Sequence, residues 1–307
     1  MKIYINNLNE NWVVDNVISE WKHFNSKITT DNIKQADIIW LIAPWTWKKV
    51  RKKRLKNKKV ICTIHHIDFD KFNDKEKTDF FRRDKYVNTY HTVSYKTKKQ
   101  LETLTNKDIF VIPFWINQEN FYEINNKDSL REKYRINKSS FVVGSFQRDT
   151  EGSDLVSPKL SKGPDRFLNI ILEMKKENSE LEVLLTGKRR GYLIENFKIH
   201  NIPFHYFEMV DYEKLNELYN LLDLYIVASR VEGGPRSLFE CAITRTPIIS
   251  TDVGFASELL SSSSIFEVEK FSLAKPDVEY SRKKVLKYKI PDGFEPFLNM
   301  FKEIYEN

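Results

Sequence analysis

The sequence predicts an α/β protein with two consecutive domains, each built on a mostly parallel sheet covered by helices. Three observations support this prediction. The chain has 307 residues, which is more than one hydrophobic core usually serves. Short apolar runs alternate with stretches at helical spacing in both halves. The composition, 41% hydrophobic and 30% charged, is that of a globular protein and excludes fibrous or wholly disordered classes.

The first half has the βαβ pattern. Its apolar runs are rich in Ile, Val, Tyr and Trp and end at Asn, Asp or Pro, as strands do. The predicted strands are Lys2–Ile5, Ala36–Ala43, Val60–Ile64, Val87–Val93 and Ile109–Phe114. Helical spacing predicts helices at Asn11–Phe24 and Tyr95–Leu104. Strands that alternate with helices imply a parallel sheet.

A polar stretch over 117–140 separates this half from a second βα series. We therefore predict an N-terminal domain over 1–120 and a C-terminal domain over 121–290. A last helix, within 291–307, is expected to dock back on the N-terminal domain. The second series comprises strands at 141–146, 181–186, 224–228 and 247–250, and helices at 163–177, 212–222 and about 235–244.

The distribution of cysteine, apolar residues and glycine narrows the function. Cys62 and Cys241 are too few and too far apart for a disulfide framework or a metal cluster, which predicts a reducing compartment. No apolar run is long enough to span a bilayer, and the N-terminus lacks the pattern of a secretory signal. All nine glycines lie at or after Gly144, so a phosphate-binding loop is expected in the second half.

The most informative segment follows the predicted strand at 224–228. Glu232, Gly233 and Gly234 form a loop, Pro235 occupies a favourable first-turn position, and a helix continues through Glu240. Free amides and the positive end of a helix dipole then suit a phosphate or diphosphate. The two carboxylates can accept hydrogen bonds from vicinal sugar hydroxyls. The alternative is a plain strand-to-helix turn with a surface glutamate.

At this point the sequence resembles the retaining glycosyltransferases of family 4, also called glycosyl transferases group 1. Glu232 and Glu240 form that family's E-x7-E pattern. Further segments resemble its motifs in the same order: 142–148 with Arg148, 161–165 with Lys162, 184–187 with Gly187, and Gly254 with Glu258. The resemblance is strong over about 140–260 and looser over 59–120, where it includes His65 and His66.

The resemblance implies the GT-B fold, with two Rossmann-like doubly wound domains facing a cleft and, here, a short N-terminal domain. It implies transfer of a sugar, with retention, from a nucleotide-diphosphate sugar to a glycan or glycolipid of the cell-surface polysaccharide or lipopolysaccharide type. No metal or organic cofactor is expected. The alternatives are transfer to modified DNA bases and a non-catalytic sugar-nucleotide-binding module.

Roles for single residues also come from the resemblance. The expected catalytic residues are Glu232, which would contact the transferred sugar, and the histidines His66 and His65. Arg148 and Lys162 would bind the donor by neutralising its diphosphate. The remaining donor-binding positions are Gly187, Gly233, Gly234, Pro235, Arg236, Ser237 and Glu240, the last of them on the ribose. His66 or His65 would orient the acceptor or a donor hydroxyl.

Two places depart from the family pattern. The first N-terminal strand is followed by Asn6-Asn7-Leu8-Asn9 in place of a glycine-rich turn, and Arg245 and Thr246 stand where a glycine is usual.

Asp68-Phe69-Asp70 matches a metal-binding D-x-D pattern of another transferase fold, but so short a match arises readily by chance.

The segment from Lys48 to Lys59 holds nine Lys or Arg and no acid, and it accounts for the net charge of +7. Together with Trp45 and Trp47 it suits an anionic membrane surface. The alternatives are a polyanion such as DNA and a solvated face that keeps the protein soluble. The sequence therefore predicts a cytoplasmic protein, with peripheral attachment to the inner face of the membrane as a further possibility.

Overall fold

The computed structural model describes residues 1–6 and 13–307. The chain forms two compact units, one made of Met1–Phe114 with Pro291–Asn307 and the other of Trp115–Ile290. Each unit contains one parallel sheet, five strands in the first and six in the second. The predicted α/β class with two parallel sheets is therefore confirmed.

The first unit has the strand order β1-β2-β3-β4-β5, with every neighbouring pair parallel. The strands are β1 (Ile3–Ile5), β2 (Ile38–Leu41), β3 (Lys59–Ile64), β4 (Thr89–Thr92) and β5 (Ile109–Val111). The helices are α1 (Val13–Phe24), α2 (Lys52–Lys56), α3 (Asp74–Asp84), α4 (Tyr95–Glu102) and the C-terminal α12 (Glu295–Glu306). Residues 11 and 12 of the first predicted helix, and positions 7–9 of the Asn-rich turn, lie outside the described residues.

The direction of winding reverses beside β1. Ile3 pairs with Ile38 of β2 on one side and forms an isolated parallel bridge with Thr29 on the other. After α1 the chain therefore passes one edge of β1 before it returns to β2 on the opposite edge. Because crossovers are right-handed, this reversal puts α1 on the sheet face opposite α2, α3 and α4.

Packing in the first unit follows from that arrangement. One face of the sheet carries Val60, Cys62 and Tyr90, which form a cluster with Leu55 of α2 and Phe80 of α3. On the other face the ring of Trp40 lies 5.5 Å from Trp21 of α1 and 5.6 Å from Phe297 of α12. The C-terminal helix thus completes the core of the unit that contains the N-terminus.

The second unit has the strand order β11-β10-β9-β6-β7-β8. The strands are β6 (Phe141–Ser145), β7 (Leu181–Thr186), β8 (Phe204–Phe207), β9 (Leu224–Val227), β10 (Ile248–Thr251) and β11 (Ile265–Phe266). The helices are α5 (Lys127–Lys133), α6 (Pro164–Glu177), α7 (Gly191–Ile199), α8 (Tyr212–Asn220), α9 (Arg236–Thr244), α10 (Ala256–Leu259) and α11 (Val278–Val285).

This order places the reversal of winding between β6 and β9. The chain runs outward from β6 to β8, then returns to the other side of β6 and continues to β11. In doubly wound sheets, ligands bind beyond the carboxyl ends of the strands at such a point. The loops that follow β6 and β9 therefore define the candidate site of this unit.

Candidate functional site

The loops after β6 and β9 are tied together by side chains of their own and by the turn before α6. Gln147, just after β6, donates from Nε2 to the carbonyl of Lys162 at 3.0 Å. Ser229, just after β9, lies with its Oγ 3.3 Å from Gln147 Oε1. The motifs that carried the family resemblance, although distant in sequence, thus meet at one point of the sheet edge.

A glycine allows this close approach. Gly163 has φ of 64°, and a Cβ there would lie 1.9 Å from the carbonyl oxygen of Ala228 at the end of β9. The backbone amides of Arg230 and Val231 donate to the carbonyl of Ser161 at 2.9 and 3.0 Å. The turn before α6 therefore packs directly on the loop after β9, and only glycine fits at that contact.

The site contains an ion pair between the predicted catalytic residue Glu232 and the predicted donor-binding residue Lys162. The ammonium of Lys162 contacts Glu232 Oε1, and Ser229 Oγ lies 3.3 Å from the same oxygen. The two side chains retain 21% and 9% of their accessible surface. Lys162 and Glu232 are thus partly shielded from water but still open to a ligand.

Arg148 and Lys159 add positive charge to the site, and neither forms an ion pair within the described residues. Arg148 donates from Nε to the carbonyl of Thr150 at 3.1 Å, and burial together with Arg189 lowers its pKa. Burial, and then the charges of Arg148 and Lys162, lower the pKa of Lys159 to about 8, although Glu232 and Glu151 oppose the shift. Across residues 1–6 and 13–307, no ion pair forms with either side chain. Lys159 lies outside the motifs, so sequence reasoning missed it.

The Glu-Gly-Gly-Pro loop leads into α9 as predicted. Gly254 (φ 49°) backs this loop, because a Cβ there would lie 2.1 Å from the carbonyl oxygen of Gly233. Among the described residues no side chain caps the N-terminus of α9, whereas Asn73, Ser94 and Asp211 cap α3, α4 and α8. The first amides of α9 and its positive dipole end remain available for an anion.

Glu240 lies one turn further along α9 and is largely buried. Tyr219 donates its hydroxyl proton to Glu240 Oε2 at 2.6 Å, and burial and Glu240 raise the pKa of that hydroxyl. Arg236 lies with its Nε 4.0 Å from Glu240 Oε1 and donates from Nη1 to the carbonyl of Trp115 at 2.7 Å. These contacts fix the orientation of the carboxylate.

The remaining predicted donor positions serve the scaffold as well. Gly187 (φ 89°) donates its amide to Phe207 at 3.2 Å, at the end of the neighbouring strand. Ser237 is buried in the first turn of α9. Pro235, which the sequence predicts as the first residue of the helix, instead precedes α9, whose first residue is Arg236.

The two predicted histidines differ. His65 lies half-buried beside Trp45 and Phe114, and its Nε2 is 2.9 Å from the carbonyl oxygen of Ile42. Burial lowers its pKa to about 4, so the ring is neutral at pH 7 and donates from Nε2. His66 is exposed. Sequence reasoning also missed His91, which is fully buried between Thr63 Oγ1 (2.9 Å) and the carbonyl of Ile112 (2.7 Å).

The basic segment forms two short helical stretches, at Pro44–Lys49 and Lys52–Lys56, and most of its charged side chains are exposed. Trp45 is 45% exposed. Trp47 is 5% exposed and donates from Nε1 to Asp79 Oδ2 at 3.2 Å. The prediction that Trp47 contributes to a membrane-binding surface is therefore wrong, because the ring fills the core between β2 and α3.

The part of the chain that the structure describes contains neither a metal-binding cluster nor a membrane-spanning helix. There, no group of three or more His, Cys, Asp or Glu side chains is arranged to hold a metal ion, and Asp68 and Asp70 flank an exposed Phe69. No helix in that part of the chain is both long and apolar enough to cross a membrane.

Comparison with known proteins agrees with this geometry. The sequence model of the family "Glycosyl transferases group 1" matches residues 156–288, which lie in the second unit. No curated protein sequence matches the chain significantly.

Solved structures share the fold at low identity. The Anabaena protein HepE in complex with UDP is 11% identical, with a TM-score of 0.73 over 100% of both chains. A glycosyltransferase from Rickettsia africae is 18% identical, with a TM-score of 0.67 over 98% of this chain and 84% of its own. Sucrose-phosphate synthase from Thermosynechococcus elongatus is 13% identical, with a TM-score of 0.71 over 98% of this chain and 81% of its own.

Proposed function

We propose that this chain is a glycosyltransferase of the group 1 family, whose sequence model matches residues 156–288, and that it transfers a hexose, with retention, from a UDP-sugar to a glycan or lipid-linked acceptor. The choice of UDP is supported by HepE, which binds UDP and UDP-glucose. One observation carries the proposal: at the reversal point of the second sheet, Arg148 and Lys159 have no carboxylate partner within the described residues, and Lys162 faces Glu232.

The donor site would work by fixed electrostatics. Breaking the bond to the anomeric carbon leaves a diphosphate and develops positive charge on the sugar ring. Arg148, Lys162 and the first amides of α9 would stabilise the leaving diphosphate, and preorganised donors of this kind usually contribute more to catalysis than any other single effect. Glu240, oriented by Tyr219, would accept hydrogen bonds from the ribose hydroxyls.

The ion pair between Lys162 and Glu232 lies within the proposed donor site. Two charges with little access to water are less costly when they neutralise each other. A bound diphosphate would accept hydrogen bonds from the ammonium of Lys162. The carboxylate of Glu232 would then accept hydrogen bonds from the hydroxyls of the sugar. We therefore propose that Glu232 recognises the transferred sugar and positions it for the reaction.

His66 is the better candidate of the two histidines for orienting a hydroxyl group. His66 is exposed, whereas His65 is half-buried beside Trp45 and Phe114. We assign His65 a structural role at the end of β3, where its ring hydrogen-bonds the carbonyl of Ile42.

A donor screen tests the proposed activity. UDP-, GDP-, ADP- and dTDP-sugars would be compared by thermal shift, since a ligand at 100 times its Kd stabilises by about 2.7 kcal/mol. We expect stabilisation by a UDP-sugar and slow release of UDP without acceptor. Binding without turnover, unchanged in Glu232→Ala, would instead support a sugar-nucleotide-binding module. No stabilisation by any of the four would refute the proposal.

The acceptor side rests on the exposed basic segment from Lys48 to Lys59 together with Trp45. Each cation near an anionic bilayer contributes about 1 kcal/mol, so this surface would hold the enzyme at a membrane that carries a lipid-linked acceptor. Co-sedimentation with vesicles rich in phosphatidylglycerol tests this directly. We expect salt-sensitive binding that is lost in Lys52→Glu/Lys53→Glu/Lys56→Glu.

Two controls make the vesicle test decisive. Lys283→Glu/Lys284→Glu/Lys287→Glu reverses the same number of charges in the second unit and should leave vesicle binding intact. Tighter binding to plasmid DNA than to vesicles would favour a nucleic-acid acceptor. Equal vesicle binding by wild type and the basic-segment variant would show that these charges serve solubility alone.

A further inference from the structure

The segment between Arg148 and Lys162 folds back on itself. Residues 149–161 form a hairpin-like loop in which Thr150 bridges Pro158 in antiparallel fashion. The amide of Glu151 donates to Ser157 at 3.0 Å, and the amide of Lys159 donates to Asp149 at 2.8 Å. The loop thus leaves the end of β6 and returns to it, and Lys159 stands on its returning side.

The loop is fixed at its tip and at its base. At the tip, Asp154 Oδ1 accepts hydrogen bonds from the amides of Val156 and Ser157, both at 3.1 Å. At the base, the carboxylate of Asp149 is buried, with its Oδ2 3.1 Å from Nε of the fully buried Arg190. A loop held at both ends can present a side chain in a defined position.

The position it gives to Lys159 lies among charges of the candidate donor site. The amide of Lys162 donates to the carbonyl of Lys159 at 2.8 Å, so the two residues bracket one short helical turn. The charged groups close enough to influence the ammonium are the cations Arg148 and Lys162 and the carboxylates Glu232 and Glu151. Two cations crowd a half-buried ammonium that has no ion pair within the described residues.

We propose that Lys159 is a third diphosphate-binding residue, which the 149–161 loop adds to the pair Arg148 and Lys162. The inference rests on the proposed function and deepens it. A ligand carrying two negative charges relieves the repulsion among three cations, which neither Glu232 nor Glu151 neutralises fully.

The state of the ammonium makes the inference testable through pH. Without ligand, the pKa of Lys159 is about 8, lowered by burial and by Arg148 and Lys162. A bound diphosphate favours the charged form and raises that pKa. Affinity is therefore greatest below pH 8 and falls as the pH rises above it, because the free protein must then take up a proton to bind. Between pH 7 and pH 9 the Kd should rise about tenfold.

The experiment is a calorimetric titration of the full chain with UDP at pH 7 and pH 9. Lys159→Met keeps the apolar stem but removes the charge, and Lys159→Arg keeps a charge that does not titrate in this range. Lys198→Met, an exposed lysine on α7, is the matched control. Comparison of variants at one pH cancels the ionisation of the uracil ring.

We expect Lys159→Met to weaken UDP about tenfold or more at pH 7 and to remove most of the pH dependence. Lys159→Arg should bind within about threefold of wild type at pH 7 and should not weaken at pH 9 beyond the change caused by uracil. If Lys159→Met binds UDP as wild type does, with the same pH profile, the inference is wrong while the proposed donor site stands. If wild type itself binds no UDP, the UDP donor site and this inference fail together.

Discussion

The carboxyl ends of the two parallel sheets differ in chemistry although both follow the same doubly wound plan. In the first unit, His91 and His65 are neutral and their rings satisfy backbone carbonyls. In the second unit, Arg148 and Lys159 carry positive charges that form no ion pair within the described residues, although Glu232 and Glu151 act on Lys159 from nearby. Burial keeps the histidines at the first sheet end neutral, whereas the second sheet end holds three cations, of which Lys162 alone forms an ion pair within the described residues.

The difference in charge between the two sheet ends indicates which of them needs a ligand. A buried polar network that is complete within itself specifies a structure and requires nothing further. A cluster of half-buried cations is unfavourable until an anion arrives. Fold alone would give the two edges equal standing as binding sites, whereas charge distinguishes them.

The largest effect is expected from Gly163→Ala, which tests the contact that assembles the second edge. The new Cβ would lie 1.9 Å from the carbonyl oxygen of Ala228, at a φ of 64°. We expect a loss of about 3 to 5 kcal/mol in the free energy of unfolding. Gly152→Ala is the control: its φ is also positive, at 75°, but its nearest neighbour is 3.6 Å away, so about 1 kcal/mol is expected. Equal losses by urea denaturation would mean that backbone strain alone matters.

Glu232→Gln tests whether charge at the second edge serves catalysis. The shape is kept, but the carboxylate that faces Lys162 is lost. Transfer from a UDP-sugar should fall at least about a hundredfold, whereas the Kd for UDP should change less than about threefold. Glu173→Gln, an exposed carboxylate on α6, is the control. A loss of UDP affinity as large as the loss of rate would mean that Glu232 acts on binding of the diphosphate and not on the sugar.

His91→Gln tests the neutral edge through pH. Burial lowers the pKa of His91 to about 3, so the unfolded chain binds more protons than the folded one below pH 6.5. Wild type should therefore lose stability as the pH falls, and His91→Gln should lose about 2 kcal/mol less between pH 6.5 and pH 5.

One opposing group acts equally in both proteins. Burial raises the pKa of Asp149 to about 6, although Arg190 opposes the shift, and so the folded state gains protons between about pH 6 and pH 4. That gain cancels in the difference between variant and wild type. Parallel urea-derived stability profiles for the two proteins would contradict a neutral, buried His91.

The smallest effect is expected from Arg245→Gly at the end of α9. Arg245 has φ of 62°, the conformation that favours glycine at this position, and it also forms ion pairs with Glu123 and Glu279. Relief of strain and loss of exposed ion pairs act in opposite directions, so the free energy of unfolding should stay within about 1 kcal/mol of wild type. A larger loss, measured by urea denaturation, would mean that the ion pairs are essential.

The sequence predicted the site at the carboxyl end of the second sheet better than the corresponding region of the first sheet, and the reason is physical. Glu232, Lys162 and Gly163 stand in short motifs whose spacing is set by strand ends and tight turns, and the structure brings them together. Lys159 was missed because a loop that folds back has no periodic signal, and its side chain reaches the site only in three dimensions.

Other misses have similar causes. Helix α3 was missed because DKEKTDFFRRD is polar on most sides, and its cap at Asn73 is clear only with the structure. Strand β8, at Phe204–Phe207, is short and lies at an edge of the sheet. Trp47 was misassigned because a tryptophan beside lysines suits either a membrane surface or a core, and composition does not distinguish the two.

The aromatic contacts of the C-terminal helix have a consequence for synthesis of the chain on the ribosome. The first unit needs Phe294, Phe297 and Phe301 against Trp21, yet those phenylalanines follow the whole second unit in sequence. The second unit, being contiguous, can complete its core first. The earliest residues to emerge must therefore wait, with tryptophan surface uncovered, and chaperones would have their main period of contact with this protein during that interval.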